Sequence, residues 1–153
     1  MRHNRKEVLD RTIREFELLD RLVAHLTDEQ WRRPLPRPET KDPWTVQDAL
    51  AHITHWKADV ARSARKQPRP VEERGLTESE GNHLVFVRWH AHRPQEVLAW
   101  HRQVHEDVLV ALREAPQDWF DGRERRPEWP FDLNGHSAAH RLKDIQQALG
   151  IKD

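Results

Sequence analysis

The ten prolines do most to limit what this chain can become. They fall at Pro34, Pro36, Pro38 and Pro43, at Pro68 and Pro70, at Pro94, at Pro116, and at Pro127 and Pro130, leaving stretches of helix length between them. A proline inside a helix lacks the N–H its turn needs and clashes with the carbonyl four residues back, so helices end there. Leu9, Ile13, Phe16, Val23 and Leu26 form one apolar stripe, which predicts a helix over about residues 4–26. A short turn follows at Thr27–Trp31, and the helical pattern stops at Pro34.

The next start is sharply marked. Thr45 is a good N-cap, and Asp48 three residues on makes the acidic variant of a capping box at the positive end of the helix dipole. Val46, Ala49, Leu50, Ile53, Trp56 and Val60 then predict the buried face of a helix over 45–65, with Val71–Leu76 as loop. Thr77-Glu78-Ser79-Glu80 opens another helix, predicted over 78–112 and broken near Pro94, which suits a first helical turn. Val97, Leu98, Val104, Val108, Ala111 and Leu112 are its later stripe. Beyond Pro116 a polar loop leads to a last helix over about 134–149, with Leu142, Ile145 and Leu149 on one side and Gly150 as its stop. No apolar–polar alternation persists, so the fold class is all-α: one domain over residues 1–153, a four-helix bundle with a long crossover.

Hydrophobic residues make up 36% and charged residues 34% of the chain, so the core is lean and seven tryptophans must supply much of its area. A lean core gains from a second subunit, and a homodimer is expected. Lys plus Arg equals Asp plus Glu, 26 each, so no overall field draws in nucleic acid or an anionic membrane. Arg123-Glu124-Arg125-Arg126 is interrupted by acid and reads as solvated loop. The absence of cysteine excludes disulfides, thiolate ligands and cysteine nucleophiles, and the absence of tyrosine excludes a phenol acid. No stretch approaches the roughly 20 apolar residues of a membrane span. The expected location is cytoplasmic.

Eleven histidines are the most unusual feature. His136 and His140 stand one helical turn apart on one face, the geometry by which a helix offers two nitrogen ligands to one metal. His101 and His105 share that spacing. His101, however, falls on the Val97–Val104–Val108 stripe and reads as a hydrogen-bonded core histidine. His136 and His140 lie opposite Leu142 and Ile145, so they face either a polar cleft or solvent. His52, at the margin of its helix's apolar face beside Ala49 and Trp56, is the third candidate. Trp44, Trp56, Trp89 and Trp100 read either as an aromatic pocket or as core. No Gly-x-Ser-x-Gly elbow, phosphate-cradling glycine loop or His-Glu-x-x-His motif occurs.

The segment Pro43-Trp44-Thr45-Val46-Gln47-Asp48-Ala49-Leu50-Ala51-His52 resembles the second-helix signature of the DinB-like superfamily, and His136-x-x-x-His140-Arg141 resembles its closing motif. The order and separation of the histidines agree as well. Asn82 followed by Val85-Phe86 is similar to the ClbS/DfsB branch. The similarity spans about residues 5–149. It implies a bundle, usually dimeric, in which His52, His136 and His140 hold a divalent metal, zinc or nickel. Asp48 and Asp144, each one turn from such a histidine, read either as orienters of the imidazoles or as an ordinary cap and a solvated carboxylate.

Two functions follow from this resemblance. One is a metal-dependent enzyme acting on a small organic electrophile, as a hydrolase or as a thiol S-transferase with its thiol cofactor. The other is a non-enzymatic, stress-linked bundle for binding or assembly. Convergence of the three histidines on a pocket separates the two.

Overall fold

Capping side chains mark where the helices begin. The computed structural model describes residues 4–122 and 138–151, and the side chains of all of these except 122 and 138–141. Helix α1 (Arg5–Val23) opens with Asn4 accepting the Glu7 amide at 2.8 Å. Thr27 and Gln30 close a reciprocal box on α2 (Asp28–Trp31), and Thr77 with Glu80 does the same for α4 (Glu78–Trp89). At α3 (Val46–Ala64) the acid makes the cap: Asp48 Oδ2 accepts from the Thr45 amide at 2.8 Å and from its hydroxyl at 2.9 Å. Pro94 occupies the first turn of α5 (Pro94–Glu114). Two further helices are α6 (Gln117–Gly122) and α7 (Ala138–Ala148).

The predicted 78–112 element is thus two helices with a break at 90–93, and helix ends elsewhere lie within a few residues of expectation. Two local readings change. Val71–Glu73 forms a 3-10 turn inside the expected loop. After Pro116 the chain enters α6, because Phe120 is an anchor that inserts into the core at 1% exposure. Residues 134–137 of the expected last helix lie outside the described residues. Among the described residues the fold is all-α, and the one β feature is an isolated bridge between Pro34 and Thr45. There Leu35 N–H donates to the Trp44 carbonyl and Val46 N–H to that of Arg33, which closes the proline-rich loop over Trp44.

Helix α3 is the centre of the assembly, packing on α5, α4 and α7, while α1 packs on α5. One core cluster joins Leu19, Trp44, Leu50, Ile53, Val97, Leu142 and Ile145, and so holds α7 against the N-terminal half of α3. A second joins Val8, Ala61, Val108, Leu112 and Phe120 at the other end. Arg5 fastens α1 to the end of α5, donating to the carbonyls of Leu112, Arg113 and Ala115 at 2.7–2.8 Å. The buried ridge of α1 is Val8, Thr12, Glu15, Leu19 and Val23. Leu9, Ile13 and Phe16 of the expected stripe flank that ridge, half-buried. A hydroxyl and a carboxylate sit on the ridge because α1 faces a polar cluster inside the bundle. No helix among the described residues is long and apolar enough to cross a membrane.

Candidate metal centre and its surroundings

His52 stands one turn beyond Asp48, the acid of the α3 cap, so the cap fixes where its ring begins. It is 4% exposed, and its Nδ1 is buried without a hydrogen-bond partner among the described residues. Its ring lies 5.3 Å from that of Trp44 and 6.4 Å from that of Trp56. Trp56 Nε1 donates at 3.1 Å to Oδ1 of Asn82, which is itself buried on α4. Burial lowers the His52 pKa to about 4. The neighbouring His55 pushes in the same direction, against hydrogen bonding with Asn82. A buried, neutral imidazole with one nitrogen unspent is the form a divalent ion requires of a histidine ligand.

The other two predicted ligands cannot be set beside it. His136 lies outside the described residues, and His140 is described only as part of α7. What is visible is that α7 carries His140 on a helix whose Leu142 and Ile145 share a core cluster with Ala49, Leu50 and Ile53 of α3. Among the described residues no three His, Asp or Glu side chains form a group able to hold a metal.

The two acids have different roles. Asp48 is the cap of α3, and its Oδ2 also meets His90 Nδ1 at 2.9 Å. Asp144 is fully buried on α7 and accepts from Arg37 Nη2 at 3.1 Å, so the solvated reading of it is corrected. An arginine from the proline-rich loop compensates the buried carboxylate.

His101 is the core residue its stripe suggested, 0% exposed. Its partner is unexpected. Lys57 Nζ lies 3.1 Å from His101 Nε2, and Lys57 is itself 5% exposed. Phe16 stacks on His105 with ring centroids 3.6 Å apart, and the Lys57 ammonium stands 5.7 Å from the Phe16 ring. Burial lowers the Lys57 pKa to about 8, and Glu15 across the bundle opposes that shift. Burial, followed by the Lys57 charge, holds His101 well below its ordinary range and takes His105 to about 4. The Nδ1 atoms of both rings are buried without hydrogen bonds among the described residues. Sequence reasoning missed Lys57, although its position was readable: it lies four residues from both Ile53 and Ala61, on the buried face of α3.

Residues 14–144, most of the chain, match the family described as the mycothiol maleylpyruvate isomerase N-terminal domain. No curated protein and no solved structure matches. The matched span contains His52, His136 and His140. Such coverage, on an all-α bundle with a buried neutral histidine at the start of α3, places this chain in the mycothiol maleylpyruvate isomerase N-terminal domain family, within the DinB-like metal-binding superfamily.

Proposed function

We propose that the protein is a metal-dependent enzyme acting on a small organic electrophile, with His52, His136 and His140 as ligands of a zinc or nickel ion. The observation that carries this reading is His52: buried, neutral, and with a ring nitrogen that no group among the described residues uses. A buried polar atom left without a partner costs about 1–3 kcal/mol, and binding an ion recovers it. The ion would supply Lewis acidity at an open coordination position.

The chain's own residues do the remaining work. Trp44 and Trp56 wall the imidazole on two sides and keep water from it. Asn82, tethered by Trp56, holds the ring's setting from α4. The thiol S-transferase form is favoured over the hydrolase form because the matched family's name includes mycothiol, a thiol. The ClbS/DfsB branch rests on Asn82, Val85-Phe86 and the helix from Pro94 to Leu112.

The test is metal analysis of protein purified without a nickel column, before and after zinc or nickel is added. A stoichiometric ion is expected, with affinity lowered by at least roughly 10–100-fold in His52→Ala and His140→Ala. Unchanged affinity in both variants would remove the metal centre from this reading. Thiol-dependent turnover of a small electrophile, absent in the same variants, separates an enzyme from a binding protein.

A further inference from the structure

The bundle also holds a concave site whose wall does not include His52. Between α3, α4, α5 and the 3-10 turn is a cavity of 370 Å³, lined by His55, Arg62, Glu73, Arg88, Trp89 and Trp100 among others. That volume is at the small end of the roughly 300–1,000 Å³ typical of small-ligand sites.

Arg62 makes this cavity more than a dent. Its Nη1 is buried and has no hydrogen-bond partner among the described residues. The carboxylate beside it, Asp59, stands 3.7 Å away. Asp59 is already held by Arg69, through Nε at 2.9 Å and Nη2 at 3.0 Å. A guanidinium carries five donors in a fork that fits a carboxylate, and the Arg62 side chain brings such a fork to the cavity wall. Arg88 enters from α4, paired with Glu72 at 3.1 Å in an exposed pair of the kind that contributes little. The cavity's own anion, Glu73, is 7% exposed and faces His55 Nε2 at 3.4 Å. Burial disfavours the charged form of His55. Two guanidinium groups against one carboxylate leave the lining net positive. Apart from these groups and His92 the wall is apolar, with Trp89 and Trp100 stacked at 4.2 Å and 10°.

We propose that this cavity binds a small monocarboxylate with an apolar, ring-sized body, the carboxylate on Arg62 and Arg88 and the body against Trp89 and Trp100. The proposal does not rest on the metal centre.

The experiment titrates the full chain with benzoate, by calorimetry and by intrinsic fluorescence. Benzamide serves as the uncharged shape match and inorganic phosphate as the bare anion. Benzoate should saturate, and benzamide and phosphate should each bind at least about tenfold more weakly. Charge-assisted hydrogen bonds of about 1.5–3 kcal/mol predict a roughly 10–100-fold loss in Arg62→Gln. Arg93→Gln, on a side chain 85% exposed, should bind as the parent does. If Arg62→Gln does not fold by circular dichroism, Arg88→Gln carries the same expectation. Any of three results overturns the proposal: no saturable benzoate binding, benzamide or phosphate equal to benzoate, or folded arginine variants that bind undiminished. Loss of benzoate binding in a chelator would place the anion on the metal and overturn it as well.

Discussion

Lys57 is the residue whose environment has the most to say about pH. Its pKa falls from 10.5 to about 8 on burial, worth about 3 kcal/mol at about 1.4 kcal/mol per unit. Between those two values the unfolded chain holds a proton that the folded chain has released, so stability rises with pH across that window. Below about pH 8 the full cost is borne. His105, taken to about 4, acts at the other end: as pH drops below about 6.5 the unfolded state gains a proton that the folded state refuses, and stability falls. Lys57→Met should remove the alkaline rise in chemical denaturation. At pH 7 it should add about 1–2 kcal/mol of stability, after about 1–2 kcal/mol is lost because His101 has no donor. A flat alkaline profile in the parent protein would contradict the buried charge. His101 and His52 make a matched pair. His101→Ala should lower stability by about 2 kcal/mol or more through its cavity and stranded amine while leaving metal affinity intact, whereas His52→Ala should lower metal affinity. Thermal melts and metal titration of both variants separate the two.

At the scale of elements, the capped start of α3 governs the site, because it sets the phase of every side chain that follows. Asp48→Ala deletes the acceptor for the Thr45 amide, the Thr45 hydroxyl and His90. A drop of about 2–3 kcal/mol in unfolding free energy is expected, the upper range of a lost cap plus an ion pair. Loss of under about 0.5 kcal/mol would show that the cap does not anchor the helix. This start was fully legible in the sequence, since Thr45 and Asp48 signal it with local chemistry. So were the helices on either side of the prolines. The break at Pro94, the core status of His101 and the existence of α7 also followed from spacing. What the sequence hid depends on contacts between distant segments. Nothing local marks Thr12 and Glu15 as buried, because only the approach of Lys57 and the α5 histidines makes room for them. The burial of Asp144 is hidden as well, because the arginine that compensates it, Arg37, stands 107 residues away in the chain. Spacing gave His136 and His140 as candidate ligands, and the helix margin and the resemblance gave His52, but convergence depends on tertiary contacts, and only His52 has a described environment.

For the whole molecule, a core divided into two clusters and threaded by polar side chains leaves apolar residues over on the outside. Leu18, Val71, Val87 and Val110 are 42–72% exposed. We expect a symmetric dimer that covers part of this surface. Light scattering should return twice 18.3 kDa, and one chain's mass at micromolar concentration would remove the dimer. The tryptophan pair has a consequence for how assembly can be watched. Trp89 closes α4 and Trp100 sits in α5, on opposite sides of the break before Pro94, with their rings 4.2 Å apart. Two indole chromophores at that separation share their excitation, and the resulting exciton couplet adds to the far-ultraviolet dichroism of the helices. The couplet disappears once α4 leaves α5, even while both helices remain wound. Two wavelengths in a single melting experiment therefore time the undocking of α4 from α5 separately from the loss of helix.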